Sequence, residues 1–168
     1  IQPFSILKPY GISLVHNGNI INKEYLEDFL YQNNIFLNST SDSEIILNLF
    51  YYFIEKDFSK LNNEVIIDCI KNIYDLCKGS FSIILMIRDY GLIAFRDKFG
   101  IRPLVYTRNE NNIIISSETC SFPDNNKYEN ISNGEVIMVD LNLNINKYKL
   151  FNENLKPCIF EYIYFASP

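Results

Sequence analysis

Residues 14–20 read LVHNGNI, in which a short apolar run is followed by the tetrapeptide His-Asn-Gly-Asn. Asn-Gly at such a place is the commonest signal for a tight hairpin turn, because both residues accept positive φ. In this interpretation a strand covers residues 12–16 and ends at the turn. The alternative is an oxyanion hole, in which the Asn17 side-chain amide and the Gly18 backbone N–H face an oxygen that becomes negative during acyl transfer. The local sequence leaves both open.

Three segments have the apolar spacing of amphipathic helices. The first runs from Asn22 to about Tyr31, and Asn22 is available as its N-cap. The second covers residues 41–55 and the third covers residues 63–77. Because the second helix carries a wide apolar stripe, we expect it to be buried against a sheet.

Strands follow the helices. The predicted hairpins pair residues 81–87 with 92–95, 104–107 with 113–117, and 135–140 with 145–150. Helices that come first and antiparallel strands that come later favour an α+β layered fold. The composition changes after Phe151, where residues 152–157 have the character of a linker.

Composition and charge exclude several classes of protein. The chain has 168 residues, which predicts about one domain, and its net charge is −5 with Lys and Arg scattered. We therefore expect neither a nucleic-acid surface nor an anionic-membrane surface. The apolar runs are too short for a membrane helix and the sequence from Ile1 has no signal-peptide pattern, so we expect a cytoplasmic location. The four cysteines lack the spacing of a metal site, and the single histidine argues against a His-ligated metal and against Ser-His catalysis. We predict no metal site.

Ser41-Asp42-Ser43-Glu44 has the pattern of a capping box, with Ser41 as N-cap and Glu44 three residues later. Asp42 in the first turn also favours the helix dipole. The capping box does not need the Asp42 carboxylate, which is free to face a ligand.

Residues 96–103 read RDKFGIRP and lie between two predicted strands. The structural interpretation is a loop in which Gly100 relieves a turn and Asp97 pairs with an arginine. The functional interpretation is a loop that forms one wall of a site.

Six motifs complete the pattern: HNGN (16–19), SDSE (41–44), RDKFGIRPLV (96–105), ISSE (115–118), NGEV (133–136) and FEYIYFASP (160–168). Together they resemble the amidophosphoribosyltransferase family over nearly the whole chain. That resemblance implies the transfer of glutamine-derived ammonia to phosphoribosyl pyrophosphate, which gives 5-phosphoribosylamine in the first committed step of de novo purine synthesis.

The resemblance also implies a fold and a domain plan. The expected fold is the four-layer αββα sandwich of the N-terminal nucleophile hydrolases, with stacked antiparallel sheets. Residues 1–151 would form a glutaminase domain that lacks its N-terminal part. Residues 152–168 would form a linker and the start of a phosphoribosyltransferase domain.

Roles carried over by motif make Asn17 and Gly18 the oxyanion-hole donors and Asp42 the partner of the glutamine α-ammonium. The family's nucleophile is an N-terminal cysteine whose α-amino group can serve as base, so no imidazole is needed. Because this sequence starts at Ile1, we expect these residues alone to be inactive. We expect no cofactor in this chain. The resemblance implies L-glutamine as the substrate of this domain, and Mg²⁺ and phosphoribosyl pyrophosphate as ligands of the synthase domain. It also implies that the protein assembles as a homo-oligomer.

Two alternatives remain at this stage. The chain could be a non-catalytic module that binds glutamine or serves assembly. It could also be the glutaminase domain of another amidotransferase, such as asparagine synthetase, since the HNGN element and the 96–105 loop resemble those proteins too.

Overall fold

The computed structural model describes residues 1–56, 61–123, 127–159 and 163. The strands and helices follow in this order: β1 (Phe4–Ile6), β2 (Ile12–Ile20), α1 (Lys23–Gln32), α2 (Asp42–Lys56), α3 (Asn63–Leu76), β3 (Gly79–Ile87), β4 (Gly91–Arg96), β5 (Val105–Arg108), β6 (Ile113–Ser116), β7 (Tyr128–Asn130), β8 (Glu135–Asp140) and β9 (Ile145–Lys149). One turn of 3₁₀ helix covers Thr119–Ser121.

The strands form two sheets in which every neighbouring pair is antiparallel. The larger sheet has the order β1-β2-β3-β4-β8-β9, and the smaller sheet has the order β6-β5-β7. All three predicted hairpins are confirmed, with bounds within two residues of the expected ones. The three-residue strands β1 and β7 were not predicted, because segments this short carry little periodicity.

The helices cover one face of the larger sheet. Leu26 of α1, Phe50 of α2 and Ile70 of α3 pack with Leu14 and Ile83 in one apolar cluster, and all five side chains are fully buried. The helices were expected at these places, and the broad stripe of α2 explains its burial.

The smaller sheet covers the opposite face. Ala94 of β4 and Ile137 of β8 pack against Leu104, Tyr106 and Ile131 in a second cluster. The layers are therefore helices, larger sheet, smaller sheet, and the expected α+β class with stacked antiparallel sheets is confirmed. Within the described residues, no α-helix lies over the outer face of the smaller sheet, since all three pack in the first cluster.

The Asn-Gly pair is not a hairpin turn, so that interpretation was wrong. β2 continues through it to Ile20, with Asn17 opposite Ser82 and Gly18 opposite Phe81 on β3. The physical reason is the ladder itself: nine consecutive residue pairs join β2 to β3, and tertiary pairing of this length outweighs a local turn preference.

Asn22 lies at the predicted N-cap of α1, but its side chain caps no helical N–H. Its amide instead donates to the Leu76 carbonyl and accepts from the Lys78 N–H, both at 2.9 Å. Asn22 therefore ties the start of α1 to the connection between α3 and β3.

Residues 152–158 have no helix or strand and run beside the 96–103 loop, where the Lys156 N–H donates to the Phe99 carbonyl at 2.9 Å. Apart from Ile163, the FEYIYFASP motif lies outside the described residues. The boundary between residues 151 and 152 stays a prediction. Within the described part of the chain, no helix is long and apolar enough to span a bilayer.

Candidate functional site

β1 covers only part of the outer edge of β2. It pairs with Ile12–Leu14 and stops there. The next backbone groups on this edge belong to His16, whose N–H donates to the Gln2 side-chain oxygen at 2.6 Å and whose C=O accepts from the Gln2 amide at 2.8 Å. Gln2 thus continues the pairing by one residue, and the edge beyond His16 has no strand beside it among the described residues.

The Gly18 N–H points to this open edge. On β3, the Phe81 N–H donates to the Asp97 carboxylate and the Phe81 C=O accepts from the Asp97 N–H, so both groups point away from Gly18. Backbone groups alternate in direction along an antiparallel strand, and those of His16 already face the outer edge. The Gly18 N–H therefore faces the same way.

Glycine at position 18 is required by a close approach of two backbones. A Cβ there would lie 2.0 Å from the Ser80 carbonyl oxygen, and the φ angle of Gly18 is +154°. No L side chain fits beside β3 in that conformation.

Asp42, the first residue of α2, reaches the same edge. Its Oδ2 accepts from the Ile20 N–H at 3.2 Å, and its Oδ1 lies 3.8 Å from His16 Nδ1. Two residues along a strand span roughly 7 Å. The Gly18 N–H and the Asp42 carboxylate are thus a donor and an acceptor on one edge, separated by about the length of one amino-acid side chain.

Asn17 points to the other face of β2. Neighbouring residues on a strand face opposite sides, and the Asn17 side-chain amide donates to Ser117 Oγ at 3.1 Å, directly after β6. The structure therefore brings Gly18 and Asp42 to one edge, while the Asn17 amide lies towards the smaller sheet. A second amide proton of Asn17 remains for another acceptor.

His16 lies under the candidate site. Its side chain is buried, with Nδ1 3.4 Å from Ser43 Oγ, and none of the described residues gives its Nε2 a hydrogen-bond partner. Burial lowers the pKa of His16 below its usual value; Asp42 opposes that shift, whereas Arg102 and Lys23 add to it. The ring is therefore neutral at pH 7.

The capping box does not form as expected. The Glu44 carboxylate accepts from the Asn38 N–H at 2.8 Å and from the Ser39 hydroxyl at 2.5 Å, whereas the Ser41 N–H donates to Ser39 Oγ. Burial alone would raise the pKa of Glu44, but these bonds outweigh it and lower that pKa. Glu44 therefore stabilises the loop before α2, and the Asp42 carboxylate is free to contact the edge of β2.

The 96–103 loop is fixed by its own hydrogen bonds. The Asp97 carboxylate accepts from the backbone N–H groups of Phe81, Phe99 and Ile101, whereas the sequence predicted an arginine as its partner. The Arg96 guanidinium donates to the carbonyls of Arg102, Ile131 and Gly100. This supports the structural interpretation of the loop.

The loop also forms one wall of a cleft, as the functional interpretation proposed. The cleft has a volume of about 780 Å³ and lies between Gly100, Ser117 and Cys158. Neither Gly18 nor Asp42 lines it. Ser117, which accepts from Asn17, is the link between this cleft and β2.

Sequence reasoning did not identify three residues that contact the candidate site residues or their strand. They are Gln2, His16 as a neighbour of Asp42, and Ser117. Gln2 and Ser117 act across 14 and 100 residues of chain, so no local pattern could point to them. Within residues 1–56, 61–123, 127–159 and 163, no three His, Cys, Asp or Glu side chains group as metal ligands.

Comparison with known proteins shows sequence similarity over nearly the whole chain. The amidophosphoribosyltransferase of Saccharomyces cerevisiae is 33% identical over 183 residues, which cover 99% of this chain and 35% of that protein. The Escherichia coli protein of the same name is 34% identical, with the same coverage. The chain thus spans about a third of the length of these curated relatives.

Solved structures show the same fold. A glutamine phosphoribosylpyrophosphate amidotransferase from B. subtilis, complexed with ADP and GMP, has a TM-score of 0.81 and 26% identity, covering 100% of this chain and 36% of that one. A predicted glutamine amidotransferase from Pseudomonas aeruginosa, 15% identical with a TM-score of 0.57, covers 86% of this chain and 63% of that one, and shows likeness of fold alone. The family profile described as a glutamine amidotransferase domain matches residues 1–124, and the chain therefore belongs to the glutamine amidotransferase domain family.

Proposed function

We propose that this chain binds glutamine and releases its amide nitrogen as ammonia for an amidophosphoribosyltransferase reaction. The observation that carries the proposal is the shared edge of β2, where the Gly18 N–H and the Asp42 carboxylate lie about one side-chain length apart. The family and the names of the relatives support it. Phosphoribosyl pyrophosphate, Mg²⁺, a homo-oligomeric assembly and a cytoplasmic location belong to the same proposal.

In this proposal a hydrogen-bond acceptor recognises one end of glutamine and hydrogen-bond donors recognise the other. The α-ammonium pairs with Asp42, whose Oδ2 is already held by the Ile20 N–H. The side-chain amide oxygen accepts from the Gly18 N–H. By the role that the resemblance implies, an oxygen at this edge on the side of the smaller sheet also accepts from the second amide proton of Asn17, whose first proton is donated to Ser117. When a nucleophile attacks the amide carbon, negative charge grows on that oxygen and these donors stabilise it.

The attacking group is the N-terminal cysteine that the resemblance implies. Cys77 does not have this role, because burial raises its pKa to about 12 and its thiol stays protonated at neutral pH. Cys69 is likewise buried in the helical layer.

Binding is tested on this chain by amide NMR. Adding L-glutamine to ¹⁵N-labelled protein should shift the Gly18 and Ile20 amides in a saturable way, and Asp42→Asn should weaken that binding. Glutaramate, which lacks the α-amino group, is the matched ligand, and its binding should not depend on Asp42. Saturable shifts confined to the 780 Å³ cleft would overturn the proposal.

The reaction is tested in the full-length gene product. Asn17→Ala should lower glutamine-dependent synthesis a few hundredfold, since one oxyanion donor contributes on the order of 3 kcal/mol, and should spare ammonia-dependent synthesis. Asn19→Ala, an exposed amide on the same strand, is the control. Equal loss of both activities in Asn17→Ala would contradict the assigned role.

A further inference from the structure

His16 is a buried polar group that the proposed chemistry does not use. Its side chain is 1% exposed, and it lies on the face of β2 that packs against the helices. Its two ring nitrogens have different surroundings. Nδ1 lies 3.8 Å from Asp42 Oδ1 and 3.4 Å from Ser43 Oγ, whereas the buried Nε2 has no hydrogen-bond partner within the described part of the chain.

These surroundings favour one tautomer of the ring. A neutral imidazole carries a single proton, on one nitrogen or the other. A carboxylate oxygen near Nδ1 favours the proton there, because the N–H dipole then points at negative charge. Nε2 then carries no proton and is a hydrogen-bond acceptor. It lies close to Gly18, since a Cβ added to Gly18 would be 2.8 Å from it.

We infer that His16 is a positioning residue for Asp42: its Nδ1–H orients the carboxylate that receives the substrate α-ammonium. The inference rests on the proposed function. The Ile20 N–H holds Oδ2 of Asp42 at 3.2 Å. The imidazole Nδ1 lies 3.8 Å from Oδ1, where an N–H dipole attracts the carboxylate electrostatically without a direct hydrogen bond. One hydrogen bond and one electrostatic contact thus bias the orientation of the carboxylate before substrate arrives.

The lack of a partner for Nε2 among the residues that the structure describes supports this role over simple packing. A buried acceptor without a donor lowers stability, so an apolar side chain would fill this position better if volume were the only requirement. The polar contact that explains a histidine at this position is therefore the one that Nδ1 makes with Asp42.

Two substitutions separate the nitrogens. In His16→Asn the side-chain amide nitrogen can occupy the position of Nδ1, so this variant keeps a donor towards Asp42. In His16→Gln the amide nitrogen reaches the position of Nε2, so this variant has no donor towards Asp42. In the full-length gene product, His16→Gln should raise the KM for glutamine about three- to tenfold, the cost of leaving one side chain free. Its kcat and its ammonia-dependent rate should change less than twofold, and His16→Asn should keep the KM within twofold.

The packing explanation predicts the reverse order, because Gln fills the volume better than Asn. A KM that follows the melting temperature of the variants, or equal KM values in both, overturns the inference. If either variant fails to fold, the ¹⁵N chemical shifts of the wild-type ring decide: a proton on Nδ1 supports the inference and one on Nε2 overturns it. A wild-type protein without glutamine-dependent activity would instead overturn the proposed function, while the tautomer measurement still tests the restraint on Asp42.

Discussion

At the residue scale, Gly18 shows how one position serves both fold and site. The missing side chain lets β2 approach β3 so closely that a Cβ would lie 2.0 Å from the Ser80 carbonyl oxygen. The same glycine presents its N–H at the open edge, two residues before the Ile20 N–H that holds Asp42. Fold and proposed chemistry thus make separate demands on one residue.

Gly18→Ala should therefore lower the free energy of unfolding by about 3 kcal/mol, because the added methyl group meets backbone that cannot move aside cheaply. Urea unfolding measures the change. Asn19→Ala, at an exposed position in the same strand, should stay within about 0.5 kcal/mol of wild type. A Gly18→Ala protein as stable as Asn19→Ala would contradict the close approach of the two strands.

His16 should give the stability a pH dependence. Burial lowers its pKa in the folded state, Arg102 and Lys23 add to the shift, and Asp42 opposes it. The unfolded chain, with a histidine pKa of about 6.5, then binds more protons than the folded one. The free energy of unfolding should fall as the pH drops from about 6.5 towards the pKa of the folded state.

Because His16 is the only histidine, the effect can be assigned with one variant. Between pH 7.5 and pH 5.5, wild type should lose more stability in urea titrations than His16→Phe. Equal losses would show that the imidazole has the same pKa in both states.

At the element scale, the 96–103 loop is organised around one carboxylate. Asp97 is 2% exposed and accepts from the backbone N–H groups of Phe81, Phe99 and Ile101. Its own N–H donates back to the Phe81 carbonyl, so the end of β4 and the start of β3 are held together. The orientation of Phe81, and with it the free direction of the Gly18 N–H, depends on this residue.

Asp97→Asn should destabilise the protein by about 3 kcal/mol, since an amide NH₂ group would face buried backbone donors and leave one of them unpaired. Chemical denaturation of the isolated chain checks this value. Asp89→Asn is the matched control, because Asp89 lies exposed in the β3–β4 turn. Similar losses from both substitutions would mean that Asp97 does not organise the loop.

At the scale of the whole molecule, the larger sheet joins two apolar clusters. On β4, Ile93 and Phe95 face the helices, while Ala94 between them faces the smaller sheet. Each side of the sheet therefore supports the other, and the three layers should unfold as one cooperative unit.

Leu104→Ala tests this coupling from the side that carries no α-helix among the described residues. Leu104 is 1% exposed in the second cluster, and its truncation should cost about 2–5 kcal/mol. Helical ellipticity at 222 nm should report the same lowered midpoint as tyrosine fluorescence. Leu141→Ala, at an exposed turn, should leave the midpoint unchanged. A helical signal that keeps the wild-type midpoint in Leu104→Ala would show that the layers unfold separately.

Local apolar spacing predicts the three helices, the three hairpins and the α+β class, because each depends on a pattern within about fifteen residues. The sequence also singled out Asn17, Gly18 and Asp42, through motifs that resemble a known family. Their arrangement could not be predicted, because it depends on contacts between distant segments.

The tertiary structure was needed to show that Asn-Gly continues a strand, since the pairing of β2 with β3 outweighs the local turn preference. It also decided which way the three groups face. Strand alternation sends the Asn17 amide to Ser117, a hundred residues away, while the Gly18 N–H and Asp42 meet on an edge that β1 leaves open. Direction in a sheet is set by the partner strand, and that partner is distant in the sequence.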